Sequence, residues 1–409
     1  TMLSITITPS RAYQPMQSPW CRMLVTMAAC LVMISQTNMF SAVFSEKEPL
    51  SESRRRLQGN NNNNNNECPA PDLTVASSCL HQSAPDLTLS YPQDVKDHLL
   101  EIEEALRPWT QGSKPHRVSS FRGPWIENVW ISEFGNFSDT ACISDTFGPF
   151  VPLFIPWVDL WVNDNPRGYR YPEGFVEAVK KVIRPDVPYI TVSQNDQGII
   201  GSNEMPLLHN IVVLSAGGYG HVPIPLLKQD EPPLANKPPS RTWLASYVGS
   251  LYHAPHDMRQ RMHDYFVNSE ASYTYFHGGA WRDVMADSWT SLAPRGFGRT
   301  SYHVMETMQQ GLIPIQVYTD VPWVPYLDLY KTLGYIATIE ELPALYHHLD
   351  QVMTPELFLE REAKILSYRD SHFTKAGVMQ QIGLFLKGSG DLACAPLPAS
   401  IRDVGDHGQ

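Results

Sequence analysis

The residues whose types and spacing could do chemistry lie between positions 291 and 319. They read Ser291-Leu-Ala-Pro-Arg295-Gly-Phe-Gly298-Arg-Thr-Ser301, then Tyr-His-Val-Met-Glu306-Thr-Met-Gln-Gln, then Gly311-Leu-Ile-Pro-Ile-Gln-Val-Tyr-Thr319. This is the pattern of a strand, a glycine turn, a helix, a glycine stop and a second strand. Gly296 and Gly298 let the backbone come close to a ligand, and Arg295 places a cation at the turn. Ser301 opens the helix, where amide hydrogens lack intrahelical acceptors. Free amides beside a cation form an anion site, and a diphosphate is its natural guest.

Glu306 is the second chemical group of this segment. Steps of about 100° along the helix put Val304, Met305 and Met308 on one face and Tyr302, Glu306 and Gln310 on the opposite one. A glutamate there is either a solvated surface residue or a carboxylate that accepts hydrogen bonds from a ribose. The turn lacks the third glycine of a dinucleotide fingerprint, and no Gly-Lys-Ser/Thr phosphate loop occurs anywhere. Neither an NAD enzyme nor a P-loop nucleotidase is supported.

Short apolar strands alternating with helices must position these groups. Strand patterns occur at 187–193, 210–215, 243–249, 272–276, 289–293 and 334–339. Helical spacing marks 96–107, 172–183, 256–266, 281–286, 340–352, 355–368 and 375–386. The alternation predicts an α/β fold with parallel sheets. A proline-rich stretch near 223–239 reads as a connector between two such units. In a doubly wound sheet the ligand sits at the carboxyl ends of the strands.

The chain has 409 residues, room for one large or two ordinary domains. Lys and Arg total 31 against 42 Asp and Glu, a net charge of −11, which argues against a general nucleic-acid binder. Before Glu46 there is no acidic residue, and an uncharged apolar run beginning at Met23 follows Arg11 and Arg22. That is the pattern of a signal anchor or a cleaved signal peptide, with the remainder lumenal or secreted. Residues 46–93 hold Arg54-Arg55-Arg56 and an asparagine tract, and read as a disordered stem. Of the six cysteines, at 21, 30, 68, 79, 142 and 394, the last four would be lumenal and able to form disulfides. Closeness in sequence suggests Cys68 with Cys79. No zinc-type cysteine or histidine spacing occurs.

The segment Ala293-Pro-Arg-Gly-Phe-Gly298, then Glu306, then Gly311-Leu-Ile-Pro314-Ile resembles the signature of the exostosin-like glycosyltransferases. Thr307 and Leu312 stand where that family usually has alanine and cysteine. Tyr247-Val-Gly249 with Arg259 resembles its Phe-x-Gly…Arg segment, and Trp281-Arg-Asp-Val-Met285 its helix leading into the signature strand. In the first half, 189–198 is similar to its His-Asp-x-Gly strand end, and Val222-Pro-Ile-Pro225 to its Asp-Val-x-Ile-Pro strand, with His221 in place of the aspartate.

The resemblance covers roughly residues 94–386 and implies two Rossmann-like domains facing a cleft, the GT-B architecture. On that reading the chain divides into an anchor or signal (1–45), a stem (46–93), an acceptor-side domain (94–228), a linker (229–240), a nucleotide-sugar domain (241–388) and a tail (389–409). The implied activity is inverting transfer of a sugar from a nucleotide donor, usually UDP-linked, to a glycan or glycoconjugate. The alternative is a silent partner of the same fold that supports another transferase, and a homodimer or heterodimer is compatible with either. No Asp-x-Asp occurs, so an essential divalent metal is not expected. Arg259, Arg295, Gly296, Gly298, Ser301 and Glu306 would bind the donor, with the leaving diphosphate facing the arginines and the helix amides. Asp196, after a buried strand, is the first candidate for the catalytic base, followed by His209 and His221. Trp281, Tyr275 and His277 are candidates to line the base or sugar pocket. The implied setting is a Golgi or endoplasmic reticulum membrane, single-pass with the catalytic part in the lumen, or else secretion.

Overall fold

A computed structural model describes residues 68–398, apart from 111–116, 119–120, 123, 138–141, 163–168, 202–203, 236 and 270. The expected anchor and residues 46–67 of the expected stem therefore lie outside the described residues. Among the described residues, no helix is long and apolar enough to cross a membrane. All of them belong to one compact unit, residues 66–409.

The first half contains helices α1 (Thr74–Leu80), α2 (Val95–Thr110), α3 (Ile126–Phe134), α4 (Ile143–Phe147), α5 (Trp157–Trp161) and α6 (Phe175–Val182). A small antiparallel ladder pairs β1 (Arg117–Val118) with β2 (Phe121–Arg122). The main sheet is built from β3 (Val151–Pro152), β4 (Tyr189–Ser193), β5 (Ile211–Ser215) and β6 (Val222–Pro223). These strands are parallel and lie in sequence order. Every residue of β4 and β5 is buried, which is why both read as continuous apolar runs and not as alternating ones.

The second half contains β7 (Trp243–Val248), α7 (Met258–Asn268), β8 (Tyr273–Phe276), α8 (Trp281–Ala286), β9 (Ser288–Pro294), α9 (Tyr302–Gln309) and β10 (Ile313–Tyr318). It continues with α10 (Leu327–Leu333), β11 (Tyr335–Thr338), α11 (Leu342–Val352), α12 (Pro355–Tyr368) and α13 (Lys375–Leu386). Its five strands are parallel, in the order β11-β10-β9-β7-β8. The order reverses between β7 and β9. Chains leave those two strands toward opposite sides of the sheet, which opens a crevice at their carboxyl ends. The α/β expectation is met in both halves.

Residues 68–93 depart from the expected stem. Ala76, Cys79 and Leu80 of α1 are fully buried in the core. The expected pairing of Cys68 with Cys79 is also corrected: Cys68 is bonded to Cys142, and Cys79 to Cys394 across 315 positions. The reason is direction. Cys79 points into the core on the buried side of α1, whereas Cys68 is exposed. The start of the expected tail is held as well, since Leu392 is buried and the Ala395 amide donates to the His221 carbonyl.

The connector is fastened to the second half. Arg241 binds both carboxylate oxygens of buried Glu362 on α12 and stands over the Trp289 ring at 4.6 Å. Lys237 lies 3.6 Å from the same carboxylate, so a single buried acid serves two cations. Removing Glu362 would leave both with carbonyl acceptors but no balancing carboxylate, which is costly for buried charge.

Candidate functional site

A pocket of about 420 Å³ opens at the carboxyl edge of the second sheet. Its walls come from the end of β7 (Val248, Gly249), the turn after β8 (His277, Gly278), the start of α8 (Trp281, Arg282), α9 (His303, Glu306) and the connector (Lys228, Gln229, Glu231). It therefore lies beside the reversal of strand order, where such a sheet binds ligands, and its volume suits a small molecule.

One wall is set by a polar chain. The Ser291 hydroxyl on β9 lies 2.8 Å from His303 Nε2, and His303 Nδ1 faces the Glu306 carboxylate at 3.7 Å. The Tyr247 ring meets the imidazole edge-on. The Glu306 side chain keeps 19% of its surface accessible, enough to accept hydrogen bonds from a guest without being freely solvated. The face of α9 opposite Val304, Met305 and Met308 is thus not a solvent face. Glu306 looks into the pocket, and Gln310 just beyond the helix is fully buried. Thr307 and Gln309 are fully buried too, so α9 is enclosed nearly all round.

Another part of the lining is a charged pair on an aromatic base. Glu231 is 2% exposed and binds Arg282, while Gln229 Nε2 donates to it at 2.6 Å. The Arg282 guanidinium lies over the Trp281 ring at 4.1 Å. The Glu231 amide donates to Gln309 Oε1 and the Glu231 carbonyl accepts from Arg369, so this part of the connector is fixed to α9 and to the residue that follows α12. A planar cation stacked on an indole presents a flat, polarisable surface suited to a ring.

The structure distributes the residues expected from the sequence unevenly. Glu306, Trp281 and His277 line the pocket. Tyr275 lies behind it and donates from its hydroxyl to the Gly249 carbonyl at 3.0 Å. The Arg259 guanidinium reaches carbonyls of Arg295 (2.9 Å), Ser250 (3.1 Å), Tyr252 (3.3 Å) and Pro294 (3.5 Å). Burial lowers its pKa, and it acts as a clasp between the loop after β7 and the end of β9. Arg295 is fully buried. Its guanidinium donates to the carbonyls of Phe297 and Gly298, to the Thr319 hydroxyl and to the Asp320 carboxylate. Neither arginine is among the pocket lining.

The glycine turn faces the first half of the chain, not the pocket. A Cβ on Gly298 would fall 2.1 Å from the Gly217 carbonyl oxygen and 3.0 Å from Asp196 Cβ. The Arg299 amide donates to that same Gly217 oxygen at 3.0 Å, and Arg299 Nη1 to the Gly218 carbonyl at 3.0 Å. Gly296 has ordinary room around it, and its amide closes the turn on the Thr300 carbonyl at 2.8 Å. Ser301 precedes α9 with extended backbone, but its buried hydroxyl makes no capping bond and has no partner among the described residues. The first-half strand ends thus occupy much of the space where a phosphate cradle was expected.

Asp196 follows β4, is half-buried, and sits against Gly298 outside the pocket lining. His209 is exposed and precedes β5, which puts it at the amino edge of the sheet, away from the ligand-bearing edge. His221 is 2% exposed, accepts the Val213 amide at Nδ1, and is held neutral because burial pushes its pKa down to about 4. A neutral imidazole locked inside a sheet cannot reach an acceptor hydroxyl, so neither histidine fits the role of base.

Sequence reading missed the residues that connect the halves. Gln194, just after β4, donates to the Tyr302 hydroxyl at 2.8 Å and accepts the Ile126 amide at 2.9 Å. Its own amide donates at 2.7 Å to Glu127, whose other oxygen accepts the Val158 amide. Glu127 is fully buried, and desolvation raises its pKa to about 8 despite those two amides. Only its placement in the first turn of α3 hinted at such a role, since carboxylates there are more often solvated. His303 had a readable signal, one helical turn before Glu306 on the same side.

No cluster of three or more His, Cys, Asp or Glu residues that could hold a metal occurs among the described residues. No known protein family matches the sequence, and no curated protein does either. Among solved structures the chain is similar to TarM, with a TM-score of 0.32 at 9% identity over 55% of this chain and 47% of that one. A mutant of S. aureus TarM in complex with fondaparinux, alpha-GlcNAc-glycerol and UDP gives 0.32 at 11% identity, over 56% and 49%. The GtfA/B complex gives 0.27 at 13% identity, over 55% and 50%. The match spans about half the length of each of these proteins, and likeness at this level carries no argument about function.

Proposed function

We propose that this protein is a glycosyltransferase of exostosin type and that the pocket beneath Glu306 receives a nucleotide-diphosphate sugar. The observation that carries the reading is the position of Glu306. It lies on the helix that follows β9, at the reversal of strand order, half-sheltered, with its carboxylate turned into a cavity of small-molecule size. A carboxylate there accepts hydrogen bonds from both hydroxyls of a ribose, and the Trp281–Arg282 surface in the same lining offers a face to a planar base.

The two parallel α/β halves are consistent with the GT-B architecture. In the proposed reaction an acceptor hydroxyl of a glycan attacks the anomeric carbon from the face opposite the diphosphate. The carbon–oxygen bond to phosphate breaks, the configuration inverts, and the nucleoside diphosphate leaves with the bond's electron pair. The hydroxyl proton passes to a base on the first half, for which Asp196 stays the candidate, at the carboxyl end of β4. Metal ions play no required part in this proposal. Residues 1–45 would anchor the chain in a Golgi or endoplasmic reticulum membrane or be cleaved on secretion, and the two disulfides suit an oxidising lumen.

One observation favours a second reading, a silent partner of the same fold. Both arginines expected to face the leaving diphosphate are occupied by protein carbonyls or by Asp320. The readings separate in a hydrolysis and transfer panel with the full chain and several UDP- and GDP-sugars, run beside ligand-induced thermal shifts. Turnover with a glycan acceptor supports the transferase, and a thermal shift without turnover the silent partner. If no nucleotide shifts the melting temperature, the donor pocket is refuted. Glu306→Ala should weaken UDP binding by about 1–3 kcal/mol through loss of a charged hydrogen bond.

A further inference from the structure

We infer that Lys228, and not an arginine of the signature turn, is the cation that holds the phosphate groups of the ligand. The inference rests on the nucleotide reading of the pocket and names the orientation of the guest within it. Two cationic side chains of the Lys and Arg type line the cavity, Lys228 and Arg282. Arg282 is neutralised by buried Glu231 and stacked on Trp281. Lys228 is exposed, lines the cavity and has no carboxylate partner among the described residues. The remaining charge in the lining is Glu306.

This distribution fixes a polarity. A carboxylate repels phosphate and binds hydroxyls, so Glu306 takes the ribose. The unpaired ammonium takes the opposite charge, so the phosphates extend toward Lys228. The turn at 295–301 is a poorer host. Its Arg299 amide is bound to Gly217, its Gly296 amide to Thr300, and its arginine guanidinium groups to protein oxygens. Lys228 belongs to the segment that leaves β6 of the first half, and three positions later the chain is pinned to α9 through Glu231. A lysine there stands on a fixed base while its long side chain stays free to follow a ligand.

The test uses the full chain with uridine, UMP and UDP as probes, followed by calorimetry or by Trp fluorescence, over a range of salt. Wild type should bind UDP more tightly than UMP, and UMP more tightly than uridine. Lys228→Ala should weaken UDP about 10- to 100-fold while leaving uridine within about twofold, and Lys228→Arg should restore most of the UDP affinity. The salt dependence of UDP binding should flatten in Lys228→Ala. Unchanged UDP affinity in Lys228→Ala overturns the assignment and leaves the nucleotide reading standing. An equal loss for uridine overturns it too, because the side chain would then shape the pocket and not hold charge. If wild type binds none of the three, the nucleotide reading falls and this assignment falls with it.

Discussion

Gly298 meets Gly217 so closely that a methyl group on Gly298 would lie 2.1 Å from the Gly217 carbonyl oxygen. The two residues are 81 positions apart and belong to different halves of the fold. One sits in the turn after β9 and the other in the loop after β5. The glycine pattern of the signature turn thus has a packing cause at Gly298, and the Arg299 amide bonded to the same oxygen makes the approach specific.

The pair gives a clean comparison of two glycines. Gly298→Ala should destabilise the protein by about 2–4 kcal/mol, because the new atom strikes backbone and not a movable side chain. Gly296→Ala should cost no more than about 1 kcal/mol, since its nearest neighbour would be the Thr300 oxygen at 3.4 Å. Urea unfolding of both variants measures this. Equal stabilities would mean that the two halves part easily at this point.

A side-chain bond supports the same contact. Tyr302→Phe removes the acceptor for Gln194 Nε2 and should cost about 1 kcal/mol. A double-mutant cycle with Gln194→Leu should show a coupling of about that size. Additive effects would assign Gln194 only to its bonds with Ile126 and Glu127.

His221 makes the stability depend on pH. Its pKa falls from 6.5 in the unfolded chain to about 4 in the fold, since burial penalises the charged ring. A depressed folded value gives stability that is complete above pH 6.5 and is lost as pH falls toward 4. The group's share of that loss is about 3 kcal/mol. His221→Gln cannot titrate, so the difference in stability between it and wild type should shrink over this window. A constant difference from pH 7 to pH 4 would count against a neutral buried imidazole. Glu127 acts with the opposite sign, its stabilisation fading as pH rises from 4.5 through about 8. The comparison of variants isolates His221 from it.

The Cys79–Cys394 bond closes a loop spanning most of the described chain. Replacing both cysteines by alanine should cost about 2–5 kcal/mol and lower the melting temperature, with the Cys68–Cys142 bond intact. Thermal unfolding of the oxidised double variant checks it. An unchanged melting temperature would mean that α1 and the tail are held by packing alone.

The element pattern was legible because each strand buried on both sides leaves an unbroken apolar run. Residues 189–193, 211–215 and 313–318 are read from one sequence with no knowledge of neighbours. The helices of the second half were equally clear, as 281–286 and 355–368 show. Residues 68–93 misled because α1 is buried against residues far along the chain, Cys394 among them, and not through a local pattern. The disulfides misled for the same reason, since sequence distance says nothing of which way a cysteine points.

The site divides along the same line. Sequence alone determined that Glu306 and the two glycines flank a strand–turn–helix unit, because local backbone preference and helical periodicity are properties of adjacent residues. It also placed Trp281 at the start of the preceding helix. The tertiary structure decided what these groups face. Arg295 turns to Asp320, Gly298 to Gly217, and Glu306 to a cavity that Lys228 and Glu231 of the connector also line. Those partners come from the loops after other strands, the connector and the first half of the chain. Which of them meets a given charge depends on the three-dimensional packing, and no spacing within the 291–319 segment carries that information.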